Sequence, residues 1–209
     1  MKKTLISLGI IFGILSIGLG SFLIIRARAS NISVDSPEAE VFKKVLVHFS
    51  KALYDAQRYG MVDEFDQVLI DRPNETNFDE KAKTKVSNVY GPEAASHTGL
   101  LSVYKAEYAS IWNGKQKLQE LSAKAKAENR KLTEAESKEI AKAANGTGLP
   151  GYSNSDTWKE PVFTIEKIEL TGDHAVVRFK SGLEEVEAYL INIKDQWYIY
   201  KFKHIHSDL

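Results

Sequence analysis

Hydrophobic positions along the chain change their spacing twice, and each change marks a new kind of element. From Thr4 to Ile25, "TLISLGIIFGILSIGLGSFLII", 22 residues pass without one charge. A helix of that run reaches about 33 Å, close to the ~30 Å hydrocarbon core of a bilayer. The run therefore predicts a retained, single-pass transmembrane helix over 4–25, inside a membrane anchor of residues 1–29. Next, Phe42, Val45, Leu46, Phe49, Leu53 and Ala56 recur at steps of three and four, the stripe of an amphipathic helix. Ser36-Pro37-Glu38 supplies an N-cap, a first-position proline and a first-turn acid, and Gly60 supplies the stop. "MVDEFDQVLID" reads as a short helix or turn ended by Pro73. Residues 71–98 read as a polar loop with one further helix over 79–90. A long helix begins near Leu100, with Tyr104, Tyr108, Ile111, Leu118 and Leu121 on one face and Gly114 as a place to bend or divide. Thr133-x-x-Glu136 is a capping-box pattern, and Asn145-Gly146 ends the helix it opens.

From Pro161 the period becomes two. Four strands are expected, over about 162–170, 173–180, 183–193 and 197–205, joined by corners short enough to force antiparallel hairpins. A two-residue turn at Ser181-Gly182 sets Arg178 opposite Glu185 and Val177 opposite Val186. A second turn at Asp195-Gln196 sets Ile193 by Tyr198, Ile191 by Tyr200 and Tyr189 by Phe202. In the first of these two hairpins opposite charges share one face and apolar residues the other. In the last hairpin both faces are largely apolar, so both need cover. The expected fold class is α+β: an N-terminal transmembrane helix, a linker over 30–36, then a domain over 37–209 whose helices pack on a curved four-stranded antiparallel sheet. The Lys-, Glu- and Ala-rich stretch at about 115–148 reads as a charged helical insertion.

Composition narrows the function classes. Lys plus Arg and Asp plus Glu are both 28, a net charge of zero, which argues against nucleic acid as a partner. The chain has no cysteine, which excludes disulfides, thiolate nucleophiles, thiolate metal sites and a lipidated cysteine. Lys2, Lys3 and the amino terminus stand against Arg26 and Arg28 across the apolar run. By the positive-inside rule that balance places the C-terminal domain outside the cytoplasm of a cell membrane. Ala27-Arg28-Ala29 spells a cleavage pattern, but its arginines suit an interfacial anchor better. Gly9-x-x-x-Gly13 lets two such helices approach, which allows a homodimer.

"IEKIELTGDHAVVRFKSGLEEVEAYLINIKDQWYIYKF" resembles the nuclear transport factor 2-like, or SnoaL-like, superfamily. There a G-D-x-A-x-V strand and a closing K-D-x-W-x-I strand recur in this order. Here they are Gly172-Asp173-His174-Ala175-Val176-Val177 and Lys194-Asp195-Gln196-Trp197-Tyr198-Ile199. The resemblance covers about residues 162–205 and, loosely, the first helix. It implies a cone of helices on a curved sheet. Members include isomerases, dehydratases and noncatalytic ligand-binding or scaffold domains, so it transfers no activity by itself.

Three sets of residues invite a chemical reading. Ser102-x-x-Lys105, Tyr152-Ser153-Asn154 and Lys180-Ser181-Gly182 echo the S-x-x-K, Y-x-N and K-T-G order of penicillin-recognising serine enzymes, in a chain too short for that fold. His204 and His206 share one side of an extended strand, where zinc chemistry would need a third ligand such as His174. A SnoaL-like enzyme would want an acid–base pair in the cone, with His174 near Tyr189 and Asp63 or Asp66 from the helical side. The first set reads as a chance match with a hairpin corner, the histidines as a solvated tail, and no spacing rule joins the third set, so neither a metal, a cofactor nor a catalytic residue is expected. The expected function is that of a membrane-tethered, noncatalytic binding or scaffold domain, with a protein partner or apolar ligand held by Tyr189, Tyr198, Tyr200 and Phe202. Tyr104 and Tyr108 are candidates for lining a cavity against them, and residues 4–25 would contact membrane lipid. The rival readings are a small SnoaL-like enzyme and an assembly factor of a membrane complex.

Overall fold

In the computed structural model, residues 30–75, 78–146, 157–182 and 184–205 are described. The first helix, α1 (Pro37–Tyr59), opens where Ser36 Oγ accepts from the Ala39 amide at 3.3 Å and Pro37 fills the first turn. It stops at Gly60, which adopts the left-handed conformation (φ 72°). A 3-10 turn, Val62–Gln67, follows and drives Phe65 into full burial. Two short helices, α2 (Glu80–Tyr90) and α3 (Pro92–Ala95), lead to the long helix α4 (Leu100–Ala127). Gly114 neither bends nor divides α4. It lies buried beside Lys115, whose ammonium donates to the Gln57 carbonyl at the C-terminal end of α1 at 2.8 Å. The last helix, α5 (Glu134–Ala143), carries a complete capping box between Thr133 and Glu136 and packs back on α4.

The sheet is an antiparallel meander in the order β1 (Ser30–Ile32), β2 (Thr164–Thr171), β3 (His174–Ser181), β4 (Glu184–Ile193), β5 (Gln196–Ile205). It has five strands, which corrects the expected four. The added strand comes from the polar linker, where three residues are too few to display a period of two. Their backbones pair Ser30 with Leu170 and Ile32 with Ile168. The fold class is corrected a second time at the expected transmembrane helix. No helix among the described residues is long and apolar enough to cross a membrane, so no such span belongs to the fold described. The run 4–25 and the anchor 1–29 lie outside the described residues.

Both late hairpins turn one position away from the expected corners. In the β3–β4 hairpin Ser181 pairs with Glu184, so Arg178 faces Glu187 and Val177 faces Ala188. The β4–β5 turn uses Lys194 and Asp195, both at positive φ (52° and 65°), as a primed hairpin turn requires. Each shift is of two residues, so side chains keep their faces. Arg178 accordingly stays near both acids, 2.7 Å from Glu187 and 3.7 Å from Glu185. A bulge then breaks the alternation in β5. Leu190 pairs with Ile199 but Tyr189 pairs with Lys201, leaving Tyr200 as the extra residue.

The core lies between the inner face of the sheet and α1, closed by the 3-10 turn and the start of α4. Ile168, Val177, Ala188, Leu190 and Ile199 from the sheet meet Leu46, Ala56, Phe65 and Leu69, all 1% exposed or less. Segment 68–70 seals part of the β5 edge, with the Ile199 amide donating to Val68 at 2.8 Å and the Ile70 amide donating to Ile199 at 3.1 Å.

Candidate functional site

The bulge at Tyr200 sends the aromatic residues of β5 to opposite sides. Trp197, Ile199 and Phe202 face the core. Tyr200 turns outward toward Tyr189 and His174, with ring centroids at 6.4 and 6.0 Å. Tyr198 pairs with Ile191, which belongs to that outer face as well. Of the six expected contact residues, the structure thus brings Tyr189, Tyr198 and Tyr200 together outside and puts Phe202, Tyr104 and Tyr108 inside. Phe202 lies 5.0 Å from Phe49, and Tyr104 and Tyr108 lie 5.7 and 5.6 Å from Phe65. Burial pushes the Tyr104 hydroxyl well above its ordinary range, as befits a ring held in the core.

The outer group is partly roofed by residues 71–75. Arg72 stands over the Tyr200 ring at 5.9 Å and is ion-paired with Glu75. Burial first, then the Glu75 carboxylate beside it, raise Tyr200 to about 12. Lys201 covers Tyr189 from the other side at 5.1 Å. On this face Tyr189 and Tyr200 already have ring and charge neighbours.

The possible catalytic sets do not assemble. Ser102 donates its hydroxyl to Asp71, whose other oxygen accepts from the Ser102 amide at 3.0 Å. Asp71 so satisfies the first turn of α4, where Gly99 offers no side chain. Lys105 is held by Asp63 at 2.7 Å and Asp66 at 2.9 Å. Burial opposes its charge, but the two carboxylate hydrogen bonds outweigh that and hold it above its ordinary value. A lysine held protonated is a poor acceptor for the Ser102 proton. Lys180 pairs with Glu166 at 2.6 Å, while Tyr152, Ser153, Asn154 and His206 lie outside the described residues. His174 sits on the outer face, away from Asp63 and Asp66 on the far side of the core. Among the described residues no group of three His, Cys, Asp or Glu is placed to hold a metal. His204 faces Val186 in the bulged β4–β5 ladder.

A different place offers space. At the end of the sheet that carries the β2–β3 and β4–β5 turns, a cavity of about 500 Å³ opens between the inner face and the first turns of α1. Ile32, Val41, Phe42, Leu170 and Trp197 form its apolar wall. Phe42 and Trp197 meet at 5.0 Å, and Val41 is 45% exposed at the mouth. Small or short side chains keep it open, among them Ser30, Ser33, Ser36 and Gly172, and no residue of α4 lines it. Glu38 is the one titratable side chain among the lining residues described. Its own amide first, then the Ser36 hydroxyl, hold the carboxylate below its ordinary value, so it is charged at neutral pH.

Sequence reasoning missed this cavity for two reasons. Phe42 and Trp197 read as ordinary core positions on their own elements. Strand β1, which contributes Ile32, carried no periodic signal. The remaining cue was a cluster of short residues, Ser30, Ser33 and Ser36, directly before a strongly apolar helix face. No known protein family, no curated protein and no solved structure matches the chain.

Proposed function

We propose that the chain is a noncatalytic binding domain that takes an apolar ligand into the cavity between α1 and the turn-bearing end of the sheet. The observation that carries this reading is the cavity itself. Five apolar side chains enclose about 500 Å³ and two of them are aromatic, which is the size and lining expected of a small-molecule site. The Ser102, Lys105 and Asp71 side chains are consumed by helix capping and ion pairing, which favours binding over catalysis.

Titration with the neutral fluorophore N-phenyl-1-naphthylamine tests the reading on the full-length protein. The expected result is a saturable, one-to-one component that Val41→Arg removes, because a guanidinium placed at the mouth makes the apolar site costly to enter. Identical saturable binding to both proteins would overturn it. Circular dichroism and a thermal melt on the variant check that its fold is retained.

A further inference from the structure

Resting on that reading, we infer that the cavity takes a small cationic amphiphile, an apolar chain ending in a positive charge, in preference to its neutral or anionic counterparts. The inference comes from the chemistry of the mouth. Glu38 lines the cavity and is exposed, so its carboxylate stands in solvent at the opening instead of being spent on an internal ion pair. Two more carboxylates sit next to lining residues in the chain. Asp35 lies between Ser33 and Ser36, and Asp173 follows Gly172 with 55% of its side chain exposed.

Among the described residues, the nearby positive charges are placed elsewhere. Lys43 pairs with Glu40 at 3.6 Å. Lys44 lines a separate groove with Val45, His48 and Gln67, on the far side of Val41 and Trp197. Lys194 occupies the β4–β5 turn, with the acidic Asp195 next to it in the chain. His174 lies 3.6 Å from Asp173 on the outer face.

An apolar chain buried against Phe42, Leu170 and Trp197 must leave its polar end at this mouth. An ammonium there meets carboxylates, whereas a carboxylate head is repelled by them. The backbone amides at the start of α1 do not reverse this preference. Ser36 caps the Ala39 amide, and Glu38 itself places an anion on that turn. At a partly solvated distance, one such charge contact changes affinity by about 3–10-fold and weakens with salt.

Octylammonium, octanol and octanoate share one tail and differ only in the head. Competition of each against N-phenyl-1-naphthylamine on the full-length protein measures the head's contribution directly. The expected order is octylammonium tighter than octanol by about 3–10-fold, with octanoate weakest, and the gap narrowing in 0.5 M salt. Glu38→Gln should narrow the gap between octylammonium and octanol, and Asp35→Asn should do so to a smaller degree. Equal affinities for the three heads, or octanoate as the tightest, would overturn the inference while leaving the apolar site standing. Failure of all three to displace the fluorophore would instead overturn the binding reading itself. The peptide Phe-Leu-Ile-Ile-Arg-Ala-Arg, which repeats residues 22–28 of the chain, is the last competitor. Tighter binding of that peptide than of octylammonium would overturn a small molecule as occupant in favour of the chain's own basic, apolar segment.

Discussion

The space between α1 and the sheet is one layer with two differently furnished ends. At the far end Phe49, Phe65, Tyr104, Tyr108 and Phe202 fill it with rings whose centroids lie 5.0–6.3 Å apart. At the near end Phe42 and Trp197 meet, and beside them the layer opens into the cavity. The helix α4 accounts for the difference, because Leu100, Leu101, Tyr104 and Tyr108 bring a second layer over the far end only. A single amphipathic helix covers a sheet of five strands incompletely, and the uncovered strip becomes a fold's natural place for a ligand.

Breaking the filled end should have the largest consequence. Phe65→Ala leaves a cavity at a fully buried site and is expected to cost about 3–5 kcal/mol, read as a fall in the urea midpoint. Phe42→Ala borders space that already exists, so its cost should be smaller by about 1 kcal/mol or more. Equal losses for the two would mean that the near end is as tightly packed as the far end. Next in size is Gly60→Ala. A Cβ there would stand 2.7 Å from the Trp112 ring at a φ of 72°, a combination worth about 1–3 kcal/mol against the fold.

Asp71→Ala removes the partner of the first turn of α4 and should cost about 1 kcal/mol, loosening the helix that closes the filled end. Hydrogen exchange at the Ser102 amide is the direct readout. Val41→Arg, at a half-exposed position, should shift stability by only about 0.5 kcal/mol or less while abolishing binding of the apolar probe.

The α4–α5 hairpin adds a pH signature outside this comparison. Arg130 first, then the Thr133 amide, hold Glu136 at about 2, below its ordinary 4.5. Because the folded carboxyl titrates below the unfolded one, its contribution is complete above pH 4.5 and is lost as the pH falls from there toward 2. Arg130→Gln should flatten that part of the acid limb, as followed by urea midpoints at pH 5, 4 and 3.

Much of the fold was legible because local signals agreed with tertiary structure. Ser36-Pro37 and Gly60 bound α1, and Thr133 with Glu136 opens α5. The alternation along β3, β4 and the first half of β5 set their faces correctly even though two turns were placed a residue off. What failed had no local signature. Strand β1 is only three residues long and is defined by its neighbour. The bulge at Tyr200 has no local cue in the sequence, and it reverses which face Phe202 occupies relative to the expected ladder. Asp71 caps a helix that starts 29 residues later, beyond the reach of any capping pattern. The candidate site shared this fate, since its walls come from β1, α1, β2, β4 and β5 and meet only in the folded chain.

The central claim is that the open end of the layer, not the outer aromatic face, is where a ligand binds. A ¹H–¹⁵N correlation spectrum recorded through a titration with octanol tests it most directly. The account predicts saturable shifts at Ile32, Val41, Leu170 and the Trp197 indole N–H, with Tyr189, Tyr198 and Tyr200 unmoved. Shifts gathered on those three tyrosines, with the four cavity positions silent, would contradict it.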